Sequence, residues 1–324
     1  MKAILISQPG GPEVLRFEDG VAEPEAKSGE VLVKLAAAGI NFIDVYFRTG
    51  AYPPPSSPFT PGMEGAGTVV SLGPDVAGFA VGDRVAWAMS MGSYAEFATV
   101  PAAKLVKLPA TVSFKDGAAI MLQGMTAHYL CNSTYPLKEG EVALVHAGAG
   151  GVGLLLTQLA KAKGATVITT VSNDEKAALS QRAGADHVIR YDRDDFASEV
   201  RRLTGEAGAH VVYDAVGKTT FERSLDSLRP RGFLVLYGAS SGPVPPFDLS
   251  RLNAKGSLYV TRPTLANYAS TPAEIAWRAG DLFAAIAAGR LDLRVEHEYP
   301  LAEAARAHAD LEARKTTGKL VLIV

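Results

Sequence analysis

The sequence predicts an α/β chain of two domains, an antiparallel barrel-like domain joined to a doubly wound parallel sheet. Three observations predict it. Short β-prone runs broken by Gly and Pro fill the chain up to about residue 120. From about Gln123 to Val260 strands and helices alternate regularly. Within that region Gly148-Ala149-Gly150-Gly151-Val152-Gly153 is a complete G-x-G-x-x-G at a strand-to-helix junction. A chain of 324 residues, 48% of them hydrophobic, is long enough to bury two cores.

In order, Val31–Ala36, Gly67–Leu72, Arg84–Met89 and Ala95–Val100 read as strands separated by turns, the spacing of an antiparallel sheet. Gly78-Phe79-Ala80-Val81-Gly82-Asp83-Arg84-Val85 is one strand–turn–strand junction. The second region gives strands at Val142–Val145, Thr166–Val171, His187–Arg190, His210–Asp214, Phe233–Tyr237 and Leu258–Val260. Helices between them act as crossovers, so the strands run parallel. Two helices stop at Gly164 and Gly184, as helices capped by a left-handed residue do. The tail carries helices at Ala273–Ala288 and Ala302–Arg314, then a strand at Leu320–Val324. That last strand has no sheet of its own and is expected to close back onto the first domain. No repeat, low-complexity tract or long linker interrupts this order.

The glycine motif points to a dinucleotide. Gly148 allows a tight turn, Gly150 lets backbone approach a pyrophosphate, and Gly153 lets helix and strand pack closely. With Gly151 and Val152 they open a helix whose N-terminal N–H groups and dipole favour an anion. NAD sites carry an acid at the end of the second strand to bind the ribose 2′-hydroxyl. Here the neutral Ser172 and Asn173 follow that strand, with Lys176 one turn later and Tyr191 and Arg193 past the third strand. A missing acid beside cations suits a 2′-phosphate and favours NADPH. Asp174 qualifies this, since a shift of one register would bring it to the ribose; otherwise it caps the helix starting there.

A net charge of −2 gives no electrostatic footprint for nucleic acid or an anionic membrane. One cysteine, Cys131, excludes an intramolecular disulfide and fits a reducing compartment. The start, Met1-Lys2-Ala3-Ile4-Leu5-Ile6-Ser7, has too short an apolar core for a signal peptide, and no segment reads as a membrane span. A cytoplasmic location is expected. No Ser-His-Asp or Cys-His arrangement suggests a covalent nucleophile.

Longer motifs carry a family resemblance over the whole chain. The most specific is Gly140-Glu141-x-x-Leu144-x-x-x-Gly148-Ala149-Gly150-Gly151-x-Gly153-x-x-x-x-Gln158-x-x-Lys161. Supporting it are Ala38-Gly39-Ile40-Asn41-Phe42-Ile43-Asp44, Tyr52-Pro53-Pro54-Pro55, Pro61-Gly62-Met63-Glu64-Gly65-Ala66-Gly67 and Tyr259-Val260-Thr261-Arg262-Pro263. The chain resembles the zinc-free quinone oxidoreductases, the zeta-crystallin-like branch of the medium-chain dehydrogenase/reductase superfamily. The resemblance implies a GroES-like catalytic domain over residues 1–122, completed by 261–324, and a Rossmann domain over 123–260.

It also implies chemistry without metal. Zinc members of the superfamily carry a Cys in the loop occupied here by Ile40-Asn41-Phe42, and a His before the glutamate matching Glu64, where this chain has Met63. A structural zinc needs four clustered ligands, and His128 and His146 are expected only to pack or hydrogen-bond. Without a Lewis acid, alcohol oxidation is disfavoured, while a quinone or conjugated enone is already electrophilic. The implied function is hydride transfer from NADPH to a quinone. Alternatives are an enone or alkenal reductase, a structural or RNA-binding zeta-crystallin-like protein, and a cofactor-binding regulatory subunit.

Asn41 is a candidate to bond the nicotinamide ribose or the acceptor oxygen; its other reading is a turn residue tolerating left-handed backbone. Tyr46 and Tyr52 could stack on a planar acceptor or belong to the core. Thr126, Val216 and Gly217 are placed near the nicotinamide, and ligand binding at strand carboxyl ends adds Gly238 and Ala239. Gly256-Ser257-Leu258-Tyr259-Val260-Thr261 reads as an uncharged sheet edge, so a homodimer is expected.

Overall fold

The structure, a computed structural model, describes every residue except Pro55 and Arg314. It divides into two compact units, Met1–Met125 with Ala269–Val324, and Thr126–Tyr268. The sequence alone places these boundaries at 122 and 260.

In the first unit, strands β1 (Ala3–Leu5) and β2 (Arg16–Glu18) form a small ribbon. The main sheet contains β3 (Glu30–Ile40), β4 (Glu64–Leu72), β5 (Arg84–Ala88), β6 (Phe97–Pro101) and β7 (Leu105–Lys107). Helices α1 (Phe42–Arg48) and α2 (Phe114–Tyr129) follow β3 and β7. Strand β3 is longer than its apolar run because it has two different partners on one side. Residues 30–34 pair with β6, and Ala37–Ile40 pair with the C-terminal strand. Ala36-Ala37-Ala38-Gly39 has little intrinsic strand preference, so tertiary pairing decides its state. Gly39 has no room for a side chain: a Cβ there would lie 2.2 Å from Glu64 Oε2 and 2.4 Å from the Ala118 carbonyl.

In the second unit, β8 (Val142–Val145), β9 (Thr166–Val171), β10 (His187–Arg190), β11 (Ala209–Asp214), β12 (Leu228–Leu236) and β13 (Tyr259–Thr261) form a parallel sheet. Its order, β10-β9-β8-β11-β12-β13, is that of a doubly wound dinucleotide fold. Helices α3 (Gly151–Ala162), α4 (Asp174–Arg182), α5 (Phe196–Leu203), α6 (Phe221–Asp226), α7 (Ser250–Ala254) and α8 (Leu265–Tyr268) connect and flank these strands. Leu144, Ile168, Val212 and Leu234 from four adjacent strands share one buried cluster. Gly164 and Gly184 lie just past α3 and α4 at φ +78 and +100, the expected left-handed stops. β13 starts one residue late because Leu258 is spent on the core, its N–H bonding the Leu252 carbonyl.

The chain then returns to the first unit through α9 (Pro272–Ala287), β14 (Val295–Pro300), α10 (Ala304–Glu312) and β15 (Lys319–Ile323). Pro272 sits at the first helical position, and Thr271 with Glu274 forms a capping box. The expected helix Ala302–Arg314 is a 3₁₀ turn, Leu301–Glu303, followed by α10; its expected end, Arg314, lies outside the described residues. β15 pairs antiparallel with β3, so the last strand does close onto the first sheet.

Candidate functional site

The two units contribute separate sets of residues. In the second, β8 delivers the chain to the glycine loop. The left-handed residue of that loop is Ala147, at φ 54, one position before the expected turn at Gly148. Gly148 is needed for closeness instead, since a Cβ would lie 2.6 Å from Thr169 Cβ and 2.9 Å from Ser180 Oγ. A Cβ on Gly153 would stand 2.3 Å from the Ala147 carbonyl. Gly150 is different. Its Cβ would meet only the Ala147 oxygen, at 3.2 Å, and its φ of −78 and ψ of 165 suit any residue. The fold demands glycine there far less than at Gly148 or Gly153, whereas an anion closing on the backbone would demand it. Gly150 is also the N-cap of α3 and has no side chain to occupy the first N–H groups of Gly151, Val152 and Gly153.

Beyond β9 come Ser172 and Asn173. Asn173, not Asp174, caps α4: its Oδ1 accepts from Lys176 N–H at 2.8 Å. This corrects the capping role expected of Asp174 and commits the Asn173 oxygen to the helix. Asp174 turns its carboxylate to Arg190 and Arg193. Tyr191 is half-exposed, and its N–H donates to the Val171 carbonyl, which fixes it beside the end of β9.

At the end of β11, buried Asp214 accepts from the N–H groups of Val216 and Gly217, at 2.8 and 3.0 Å, and from Thr220 and Ser224. The Ser241 N–H and hydroxyl both donate to the Val216 carbonyl. Val216, Gly217, Gly238 and Ala239 therefore lie in two loops laced to each other. A carboxylate can only accept, so Ser224 Oγ donates to Asp214 and receives from His146 Nε2 at 3.0 Å. His146 Nδ1 is then the acceptor for Thr170 Oγ1, at 2.8 Å. Burial holds the His146 pKa below its usual value, so the ring is neutral and ties three strand ends together. Thr126, in the last turn of α2, is buried.

In the first unit, Asn41 is extended (φ −141) and caps α1 in a capping box with Asp44, so the left-handed reading of Asn41 fails. Its side chain is at the centre of a buried polar cluster. Asn41 Oδ1 accepts from Lys319 Nζ at 2.7 Å and Gln123 Nε2 at 3.2 Å. Its Nδ2 donates to Glu64 Oε2 at 2.8 Å and, at 3.4 Å, to the Gly39 carbonyl. Lys319 and Glu64, 1% and 0% exposed, form an ion pair at 2.5 Å. Burial lowers the Lys319 pKa, and the Glu64 carboxylate opposes that fall. Among the described residues no three His, Cys, Asp or Glu side chains are grouped to hold a metal ion. Tyr46 and Tyr52 stand edge to face with centroids 5.3 Å apart, and Tyr52 is 39% exposed. Pro55 of the adjacent Pro run lies outside the described residues.

Below this cluster, Asp44 Oδ1 accepts from Met63 N–H and Oδ2 from Asn41 N–H and Tyr94 OH. Tyr94 OH meets His308 Nε2, and Arg48 donates to His308 Nδ1 and to Glu312. Burial lifts the Asp44 pKa to about 7 and, with the Arg48 charge, drops that of His308 to about 3. The signs oppose. His308 is protonated more readily unfolded, so its contribution to stability is full above pH 6.5 and is lost as pH falls towards 3. Asp44 is protonated more readily folded, so its contribution is full below pH 3.8 and is lost as pH rises through about 7. Relative to wild type, Asp44→Asn should lose roughly 1–2 kcal/mol more between pH 6.5 and 5, and His308→Gln should gain a similar amount. Chemical denaturation at the two pH values checks both signs.

Lys319, Gln123, Asp214 and Arg190 carry no functional role in the sequence alone, and Glu64 enters there only as part of a family motif beside Met63. A charged or amide residue in an apolar stretch is the one available signal, and it names no partner.

Known proteins share this architecture. Residues 27–110 match the alcohol dehydrogenase GroES-like domain family, and residues 151–277 match the zinc-binding dehydrogenase family. The quinone oxidoreductase of Pseudomonas aeruginosa is 48% identical over 99% of both chains. A 2-haloacrylate reductase from a Burkholderia species is 41% identical over 99% of this chain and 98% of that one. The crystal structure of Escherichia coli quinone oxidoreductase complexed with NADPH superposes with a TM-score of 0.98 at 44% identity, covering all of both chains. The expected barrel and Rossmann pair, the family signature around the glycine loop and these full-length similarities agree: the chain belongs to the quinone oxidoreductase family of the medium-chain dehydrogenase/reductase superfamily.

Proposed function

We propose that the chain is an NADPH-dependent quinone reductase. A glycine at position 150 whose backbone angles do not require one, over a helix N-terminus with no capping side chain, is the observation that carries this reading. When bound, the cofactor supplies the hydride. The residues of this chain bind and orient. Gly148, Gly150 and the N–H groups of Gly151, Val152 and Gly153 hold the pyrophosphate. Ser172, Asn173, Lys176 and Tyr191 surround the adenosine 2′-phosphate. Thr126, Val216, Gly217, Gly238 and Ala239 border the nicotinamide. Asn41 has one proton on a 3.4 Å bond to the Gly39 carbonyl, and that weak bond can be exchanged for a ligand oxygen. Tyr46 and Tyr52 offer aromatic faces to a planar acceptor. Lys319 places an ammonium against Asn41 and Glu64, which repels a metal ion, and no step passes through one.

Cofactor titration tests the reading. NADPH should bind more tightly than NADH, and Lys176→Ala should weaken NADPH by roughly 1.5–3 kcal/mol, the value of one charge-assisted bond, with little change for NADH. Equal wild-type affinities would refute it. The similarity to a 2-haloacrylate reductase supports a second reading, reduction of an electrophilic alkene at the same site.

The partner we assign is a second copy. β13 pairs with β12 at one side, and Tyr259 and Val260 are 53% and 38% exposed along its short, uncharged length. Edge-to-edge pairing there gives a two-fold dimer with a continuous sheet. Light scattering should show a dimer in wild type and a monomer for Val260→Lys; a wild-type monomer at micromolar concentration would contradict this. No helix among the described residues is long and apolar enough to cross a membrane. A single, buried cysteine suits the reducing cytoplasm, where we place the chain.

A further inference from the structure

β9 and β10 run parallel with Arg190 opposite Val171, so the two strands end side by side. That register sets Arg190 and Arg193 next to Ser172 and Asn173, where the cofactor's 2′-substituent is expected. Arg190 is anchored from one side by Asp192, through Nε to Oδ1 at 2.8 Å and Nη2 to Oδ2 at 2.7 Å. Its remaining Nη1 donates to Asp174 Oδ1. Arg193 Nη2 reaches the other oxygen of Asp174 at 3.5 Å. The Asp174 side chain is 78% exposed, against 13% for Arg190. Two guanidinium groups therefore converge on one solvent-facing carboxylate, at the first residue of α4.

We propose that Asp174 is a resident substitute for the 2′-phosphate. It holds the Arg190–Arg193 fork while the site is empty, competes with the phosphate for it, and so sets how strongly NADPH is preferred over NADH. This rests on the reading that the chain binds NADPH. The physics favours exchange. The Asp174 carboxylate is 78% exposed and recovers water when it leaves, and its contact with exposed Arg193 contributes little, so breaking the Asp174 contacts costs little. A phosphate brings nearly twice the charge and three acceptor oxygens, and guanidinium groups take it in bidentate fashion. Asp192 keeps Arg190 oriented throughout. Once displaced, Asp174 still sits in the first turn of α4, where a helix tolerates negative charge well. NADH carries a hydroxyl in place of the phosphate and gains nothing by displacing Asp174. The competition therefore acts on one cofactor only.

The test is calorimetric titration of wild type, Asp174→Asn and Arg193→Gln with NADPH and with NADH. Asn preserves the shape of Asp174, and Arg193 is exposed, so both variants should fold; circular dichroism confirms it. Asp174→Asn should tighten NADPH about two- to fivefold and leave NADH unchanged. Arg193→Gln should weaken NADPH about tenfold, again without effect on NADH. An unchanged NADPH affinity in Asp174→Asn, with the wild-type preference intact, overturns this proposal and spares the functional reading. A weaker NADH affinity in that variant also overturns it, since Asp174 would then be serving the ribose hydroxyl. If wild type binds both cofactors equally, the functional reading fails and the proposal with it.

Discussion

Gly150→Val is expected to abolish NADPH binding in a protein that remains folded. The side chain would occupy the space where a pyrophosphate approaches backbone N–H groups, and no ligand adjustment recovers those bonds. The fold should survive because the backbone angles need no glycine and the nearest non-neighbouring atom to the new Cβ, the Ala147 carbonyl oxygen at 3.2 Å, need shift only a few tenths of an ångström. Gly148 and Gly153 provide the contrast. A Cβ at either collides with its own unit, at 2.6 and 2.3 Å, so substitutions there should lower stability as well. Calorimetric titration together with thermal unfolding separates the two outcomes. NADPH binding retained in folded Gly150→Val would make the loop purely structural.

Lys319→Met should lower stability by about 3–5 kcal/mol, because it leaves the Glu64 carboxylate buried without its counter-charge. The same change releases the orientation of two amides. Lys319 donates to Asn41 Oδ1, which obliges Asn41 Nδ2 to face Glu64; Gln123 must then present Nε2 to Asn41. That order leaves Gln123 Oε1 buried and without a hydrogen-bond partner. When Lys319→Met is combined with Glu64→Gln, Asn41 and Gln123 can both turn over, so that Asn41 accepts from the introduced amide and donates to Gln123 Oε1. The double variant Lys319→Met/Glu64→Gln should therefore be more stable than the sum of the single changes by about 1 kcal/mol or more. Urea denaturation of the four proteins measures this coupling. Additive effects would mean that the pair does not control the amides.

The fold was legible wherever a short apolar run was bounded by turn residues. Val142–Val145, Thr166–Val171 and His187–Arg190 occupy the residues that the sequence indicated. Strand Val295–Pro300 was not legible, because Glu296 and Glu298 alternate with its other residues and its order comes from pairing with the last strand. The glycine loop could be read because its chemistry is local backbone chemistry, a few residues from strand to helix. The Asn41 cluster could not. Lys319 and Glu64 are 255 positions apart, and a lysine opening an apolar strand reads as a surface flank until the fold buries it. The end of β9 shows the intermediate case. The missing acid was visible in Ser172 and Asn173, but the arginine fork on Asp174 depends on the register of β9 against β10.

Steady-state oxidation of NADPH by the wild-type chain, with quinones and electrophilic alkenes compared under the same conditions in strong chelator, tests the central claim most directly. The expected result is saturable turnover with quinones, a higher kcat/KM for quinones than for 2-haloacrylate, and slower reaction when NADH replaces NADPH. Turnover of alkenes alone, or of no acceptor in a protein that binds NADPH, would contradict it.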